Sequence, residues 1–158
     1  MKLALICVGE PRGPVASAVR EYEERIARYW RFETVAVDGG EGKTKKTDPG
    51  RVLEAESQRL LARLPEGGEV IALTRNGKAW GSRELARYLE EQAVRAVPRV
   101  TFLIGGAYGL GPSVLKRATQ KVSLSKMTLP HELARLLLVE QIYRSGTILK
   151  NEPYHKGP

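Results

Sequence analysis

The sequence VTFLIGGAYG at residues 100–109 opens with a five-residue apolar run, rich in β-branched and aromatic side chains, that stops at a pair of glycines. Such a run is typical of a buried strand. Glycines just past a strand end let a ligand approach the backbone, because they carry no Cβ. A second run of this kind, followed by loop and helix, comes in VSLSKMTLPH at 122–131. Two such strand ends predict a ligand crevice at one edge of an α/β sheet.

Outside this stretch the chain repeats the order of strand and helix. Apolar runs predict strands at 2–8, 32–37, 69–73, 100–104 and 122–124. Turn and capping residues predict helices that begin near Gly13, Asp48, Ser82, Gly111 and Glu132, the third reaching about Val97 and the last about Ile148. Near-continuous apolar strands alternating with helices are typical of a parallel sheet covered by helices on both faces. We therefore predict one α/β domain over residues 1–158.

The charge balance is the main functional clue in the composition. The 158 residues carry a formal net charge of +8, which fits either a solvated basic surface or a polyanionic partner, nucleic acid first. No apolar run is long enough to span a bilayer, and the first is too short for a signal peptide, so we expect a cytoplasmic protein. With one cysteine and two histidines, an internal disulfide is excluded and no metal site is expected.

The glycines at 105, 106 and 109 are by themselves a weak signal. A GGxxG pattern can be a tight turn and nothing more, and it lacks the GxGxxG spacing and the acidic residue of a dinucleotide site. The following loop is equally open to two interpretations. Leu124, Met127 and Leu129 can be ordinary core residues, or they can form the apolar walls of a small-molecule pocket.

Four ordered motifs resemble one known family. They are IGGAYG at 104–109, SLSKMTLPHELAR at 123–135, EQIYR at 140–144 and EPYHK at 152–156. The family is ribosomal RNA large subunit methyltransferase H, the bacterial SPOUT-class enzymes that methylate N3 of a pseudouridine in 23S ribosomal RNA. The resemblance spans the chain. It implies a SPOUT-type fold with a C-terminal trefoil knot, whereas general rules of chain topology predict an unknotted chain.

The same resemblance implies S-adenosylmethionine as the cofactor and a homodimer as the assembly. The broad apolar arc of the last predicted helix suits a segment that covers more than one surface. The positions that match the family's cofactor site are Leu73, Gly105, Leu124, Ser125, Lys126, Met127, Thr128 and Leu129. No metal is implied. We expect His131, at the start of the last helix, to have a supporting role.

The C-terminal tail would ordinarily be expected to fray. The resemblance implies instead that it belongs to the active site. We expect His155 to be the catalytic base, because imidazole exchanges a proton near neutral pH, and Tyr154 to hold the target nucleotide. Arg144 and Lys156 are the candidate contacts to 23S ribosomal RNA or to the assembled ribosome, with Lys43, Lys45 and Lys46 as further basic residues.

Gly146 departs from the family, whose members carry a bulky aromatic residue at this position. A glycine inside a helix costs about 1 kcal/mol relative to alanine. We therefore expect the last helix to loosen or bend near residue 146.

Two other functions are compatible with the residues. A non-catalytic basic RNA-binding or ribosome-associated factor would carry the same charge, and a small nucleotide-using α/β enzyme would have the same crevice. Binding of S-adenosylmethionine separates the methyltransferase from the first, and a thermal-shift screen with ATP and NAD would reveal the second.

Overall fold

The computed structural model describes residues 1–40 and 48–156. Within this part of the chain the strands are β1 (Lys2–Val8), β2 (Arg31–Val37), β3 (Glu69–Ala79), β4 (Arg99–Ile104) and β5 (Gln120–Ser123). They form a parallel sheet in the order β2-β1-β4-β3-β5. The helices are α1 (Gly13–Ile26), α2 (Pro49–Arg63), α3 (Ser82–Val94), α4 (Pro112–Arg117) and α5 (His131–Leu149).

The core lies in two layers because alternate residues of each strand point to opposite faces of the sheet. Leu3, Leu5 and Cys7 of β1 belong to the cluster that α1, α3 and α5 cover, with Leu138 and Ile142 from α5. Ile6 and Val8 belong to the cluster on the other face, beneath α2 and α4. The predicted parallel sheet with helices on both faces is confirmed. The trefoil knot stays a prediction.

β3 is longer than the sequence predicts. We expected it to end at Leu73, but it continues to Ala79, and both Leu73 and Lys78 pair with Val122 of β5. The residues between them form an irregularity in the strand. It interrupts the alternation of side chains between the two faces, so the sequence pattern does not show that the strand continues. Gly77 allows the close approach, since a Cβ there would lie 2.5 Å from the carbonyl carbon of Val122.

The ends of two helices also differ from the expectation. α3 begins after Gly81 rather than with Ser82 as its cap, and the Glu84 carboxylate accepts a hydrogen bond from the Gly81 amide at 2.7 Å. It ends at Val94, not near Val97, because Ala96 turns the chain with a φ of 55°. α5 matches the expectation within one residue at each end. Gly146 does not interrupt it, since the amide of Lys150 donates to the Gly146 carbonyl at 3.1 Å.

None of the helices in the described residues combines the length and the hydrophobicity needed to cross a bilayer.

Candidate active site

A cleft of about 530 Å³ opens at the carboxyl ends of β3, β4 and β5. This volume is in the usual range for a small-molecule site. Its walls come from residues 73–76 in the irregular part of β3, from the segments that follow β4 and β5, from Leu115 of α4 and from the first turn of α5. Of the residues expected to bind the cofactor, those on the walls are Leu73, Gly105, Leu124, Ser125, Met127, Thr128 and Leu129. Lys126 is exposed and does not line the cleft.

The glycine pair after β4 is required by the turn itself. The amide of Gly109 donates to the Gly106 carbonyl at 3.0 Å, so the chain folds back on itself. A Cβ on Gly105 would run into the backbone of Gly109 and lie 3.0 Å from the amide of Leu110. We had expected Gly105 to make room for a ligand. The structure shows that the turn also requires a glycine here, because the backbone of Gly109 already fills the space that a Cβ at position 105 would need.

Behind this turn lies a carboxylate that sequence reasoning missed. Glu56 of α2 is only 4% exposed, and its Oε1 accepts a hydrogen bond from the amide of Gly40 at 2.9 Å. A Cβ on Gly106 would lie 2.7 Å from Glu56 Oε2. Among the described residues, Oε2 has no hydrogen-bond partner. The signal that could have found it is a glutamate four residues from both Val52 and Leu60, on the buried face of the helix.

The loop after β5 holds its shape through its own hydroxyl groups. The Ser123 hydroxyl donates to the Ser125 carbonyl at 3.0 Å, and the Ser125 hydroxyl accepts from the amide of Met127 at 2.9 Å. Arg75, from the β3 side of the cleft, donates to the Thr128 hydroxyl at 2.9 Å. The two sides of the cleft are therefore connected by a direct hydrogen bond.

The first two turns of α5 are fixed against the end of β1. A Cβ on Gly9 would lie 3.1 Å from Nε2 of His131, so the ring rests on this glycine. Arg135, one turn later, is 7% exposed and forms ion pairs with Glu10 at 3.3 Å and Glu23 at 3.0 Å. The neighbouring Cys7 is buried, and burial raises the pKa of its thiol to about 11. The thiol is therefore protonated at neutral pH and a poor nucleophile.

Tyr154 is held inside its own chain. Its hydroxyl donates to Glu140 Oε1 at 3.0 Å and lies 3.2 Å from the hydroxyl of Tyr22. Its ring packs edge-on against Tyr143, with centroids 4.8 Å apart, and the Arg144 guanidinium lies 4.9 Å from its centre. Burial, followed by these hydrogen bonds, raises the pKa of Tyr154, so the phenol stays protonated at neutral pH.

His155 and the cleft lie at opposite ends of α5. His131 begins the helix beside the cleft, and Tyr143, against which the tail packs, comes twelve residues later. At 1.5 Å per residue this is a separation of about 18 Å along the axis. One chain thus does not bring the expected catalytic tail to the expected cofactor residues. Among the described residues, the buried Nδ1 of His155 has no hydrogen-bond partner.

The residues expected to contact RNA differ in their exposure and in their ion pairing. Arg144 forms an ion pair with Glu140 at 2.5 Å, and its side chain is 29% exposed. Lys156 is exposed. Lys43, Lys45 and Lys46 lie outside the described residues. Within the described ranges, no group of three or more His, Cys, Asp and Glu side chains is placed to hold a metal ion.

Comparison with known families adds to this geometry. The model of one family, described as "Predicted SPOUT methyltransferase", matches residues 1–155. The chain belongs to the SPOUT methyltransferase family. This assignment confirms the predicted fold class, the methyltransferase activity and S-adenosylmethionine as the methyl donor.

Curated relatives of this SPOUT methyltransferase are named "Ribosomal RNA large subunit methyltransferase H". The protein from Gemmatimonas aurantiaca is 45% identical over 157 residues, which are 99% of this chain and 100% of the relative. The protein from Syntrophotalea carbinolica is 42% identical over 156 residues, with 98% and 99% covered. The protein from Streptococcus pneumoniae is 38% identical over 159 residues, with 99% and 100% covered.

Solved structures share the fold at low sequence identity. A probable methylase family protein from Haemophilus influenzae superposes with a TM-score of 0.54 at 12% identity, covering 98% of this chain and 70% of that one. A probable methyltransferase from Bordetella pertussis superposes with a TM-score of 0.56 at 16% identity, covering 91% and 93%. At these identities the likeness concerns the fold.

Proposed function

We propose that this SPOUT methyltransferase transfers a methyl group to N3 of a pseudouridine in 23S ribosomal RNA, as a cytoplasmic homodimer of single-domain chains. The observation that carries the proposal is identity of 38–45%, over nearly the whole chain, to proteins named for methylating large-subunit ribosomal RNA. The target atom follows from the resemblance of the four motifs to that family. The net charge of +8 favours a polyanionic substrate.

The residues of the cleft fit the cofactor. When bound, S-adenosylmethionine supplies an electrophilic methyl group on a sulfonium sulfur. Leu73, Leu124 and Leu129 would cover the flat faces of its adenine, and the backbone of the loop after β5 would offer donors and acceptors to the adenine edge. Few aimed polar groups between apolar walls are the usual composition of such a site.

The task of the remaining residues is to position the acceptor and to remove a proton. The neutral imide of the target base is a poor nucleophile, so the N3 proton has to leave before or during methyl transfer. His155 would accept this proton, because a neutral imidazole nitrogen can act as a general base. Tyr154, fixed by Glu140 and Tyr143, would hold the target nucleotide beside His155. Arg144 and Lys156 would contact the RNA backbone.

A second copy of the chain would complete the site. Because the tail and the cleft lie at opposite ends of α5, one chain offers only half of the proposed machinery. Leu133 and Leu137, four residues apart on the outer face of α5, are 43% and 36% exposed, and Met127 beside the cleft is 76% exposed. A two-fold dimer through this surface would cover these side chains and bring the tail of one chain to the cleft of the other.

A methylation assay with three RNA substrates tests the proposal. The purified protein would be incubated with S-adenosylmethionine and with ribosomes that carry the unmethylated pseudouridine, with naked 23S RNA that carries it, or with RNA that carries uridine at the target position. We expect N3-methylpseudouridine by nucleoside mass spectrometry, and none from the uridine substrate. Cofactor binding with methylation at another atom would contradict the proposed target. RNA binding without any transfer would favour a non-catalytic ribosome-associated factor.

A further inference from the structure

Glu56 is a buried carboxylate that the proposed reaction does not yet use. It points from α2 toward the carboxyl edge of the sheet and lies between two backbone segments. On one side its Oε1 accepts from the amide of Gly40 at 2.9 Å. On the other side Oε2 occupies the space where a residue at 106 would carry its Cβ, 2.7 Å from that position. Gly106 itself lines the cleft. The backbone of Gly106 therefore separates the carboxylate from the cleft.

A purely structural role for Glu56, as a brace that holds the segment after β2 in place, explains only one of its two carboxylate oxygens. The segment after β2 is held by Glu56 Oε1 and also by Arg59, whose Nη1 donates to the carbonyls of Asp38 at 2.9 Å and Gly40 at 2.6 Å. A glutamine at position 56 would accept the same hydrogen bond from Gly40. The charge and the second oxygen are not needed for the brace. Among the described residues, Oε2 of this 4% exposed side chain has no hydrogen-bond partner, and a buried carboxylate oxygen without one is costly, so it calls for a compensating role.

We propose that Glu56 is the counter-charge for the cationic cofactor, an inference that rests on the proposed position of S-adenosylmethionine against the Gly105–Gly106 turn. A negative charge in a buried position acts on the cleft through a medium of low dielectric, where charge interactions are stronger than in water. The sulfonium carries a positive charge that the reaction removes, because the electron pair of the breaking carbon–sulfur bond stays on sulfur. Glu56 then favours the methyl donor over the demethylated product and helps the product to leave.

Calorimetry with both forms of the cofactor tests this role. Glu56→Gln keeps the shape of the side chain and the acceptor for Gly40, removes the charge and replaces Oε2 with an NH2 group. We expect the affinity for S-adenosylmethionine to fall by about tenfold and that for S-adenosylhomocysteine to change by less than about twofold. Arg59→Gln is the matched control, since it weakens the brace without touching the carboxylate, and it should alter both affinities equally.

Equal losses for the two ligands in Glu56→Gln would make Glu56 a brace and overturn the inference, while leaving the proposed function intact. Failure of the wild-type protein to bind either ligand, or binding that is insensitive to Gly105→Ala, would instead contradict the proposed cofactor position. Glu56→Asp provides a second variant if the glutamine protein does not fold. It retains the charge, so it should retain the preference for S-adenosylmethionine. Loss of that preference in the aspartate protein would also overturn the inference.

Discussion

The ring of Tyr29 lies against Gly146 at the place where any other residue would carry its Cβ. A Cβ at position 146 would stand 2.5 Å from the ring Cγ and 3.0 Å from Cε2. The same ring packs against Tyr143, with centroids 5.9 Å apart, and its hydroxyl donates to the Glu152 carboxylate. The glycine therefore allows one aromatic ring to join the end of α1, the middle of α5 and the start of the tail.

Gly146→Ala should destabilise the protein. The substitution adds helix propensity of about 1 kcal/mol, but overpacking of a filled core costs typically about 1–3 kcal/mol, and the ring and the helix backbone leave little room to yield. We expect a net fall in the free energy of unfolding, measured by urea denaturation. In a Tyr29→Ala background the same substitution should cost much less, because the obstacle is gone. An equal cost in both backgrounds would mean that the ring is not the cause.

Gly105→Ala should impair cofactor binding and lower the melting temperature together. The added Cβ meets the backbone of Gly109, so the turn that lines the cleft has to open. Calorimetry with S-adenosylmethionine and thermal melting measure the two effects. Gly50→Ala is the control, since a Cβ there meets nothing closer than the Asp48 carboxylate at 3.5 Å. Unchanged affinity in Gly105→Ala would place the cofactor elsewhere.

The oligomeric state should depend on the exposed apolar face of α5. Leu133 and Leu137 are 43% and 36% exposed, and a stable interface buries about 800 Å² per partner. Replacing both with glutamate should produce monomers, measured by light scattering at micromolar concentration. Val94→Glu changes an apolar residue that is 81% exposed on α3, and this control should remain dimeric. A dimeric double variant would show that another surface pairs.

The strand ends that form the cleft could be predicted from sequence because they are local features. Gly105 directly follows one short apolar run, and Leu124 ends another. Glu56 could not be assigned in this way, since its importance depends on Gly106, which belongs to another element far along the chain. Sequence reasoning likewise treats Gly146 only as a weak point of α5. The ring that takes the place of a side chain at 146 belongs to Tyr29, in the segment after α1. Helix propensity describes one element, and these contacts join two.

Stability at alkaline pH should reflect Tyr29. Burial, with the hydrogen bond to Glu152 as the next cause, raises the pKa of Tyr29 from its usual 10 to about 12. The folded state therefore holds this proton more tightly than the unfolded state, and the stabilisation present below pH 10 is lost as the pH rises through 12. Denaturation across this window should show a smaller decline in Tyr29→Phe than in the wild type. Parallel curves for the two proteins would contradict this assignment.

His155→Ala should separate proton transfer from positioning. Loss of a general base typically lowers the rate by about 10²–10⁴. Part of the rate should return at higher pH, where the target imide ionises without help. His131→Ala provides the control, because His131 lies at the cleft but is not expected to accept the N3 proton, so its pH profile should keep the wild-type form. A rate loss that is uniform with pH would make His155 a positioning residue. Deletion of the tail is less informative, since it also removes Tyr154 from its contacts with Tyr143 and Glu140.

Mixing two inactive variants then identifies the chain whose tail acts at each cleft. His155→Ala retains its cleft, and Gly105→Ala retains its tail. In a mixed dimer, the cleft of the first chain would meet the tail of the second. Random pairing makes half of the dimers mixed, each with one intact site of two, so about a quarter of the wild-type activity should return. If the tail served the cleft of its own chain, neither variant could supply what the other lacks, and the mixture would stay inactive. The 18 Å scale of the separation along α5, about twelve residues at 1.5 Å each, leads us to expect recovery.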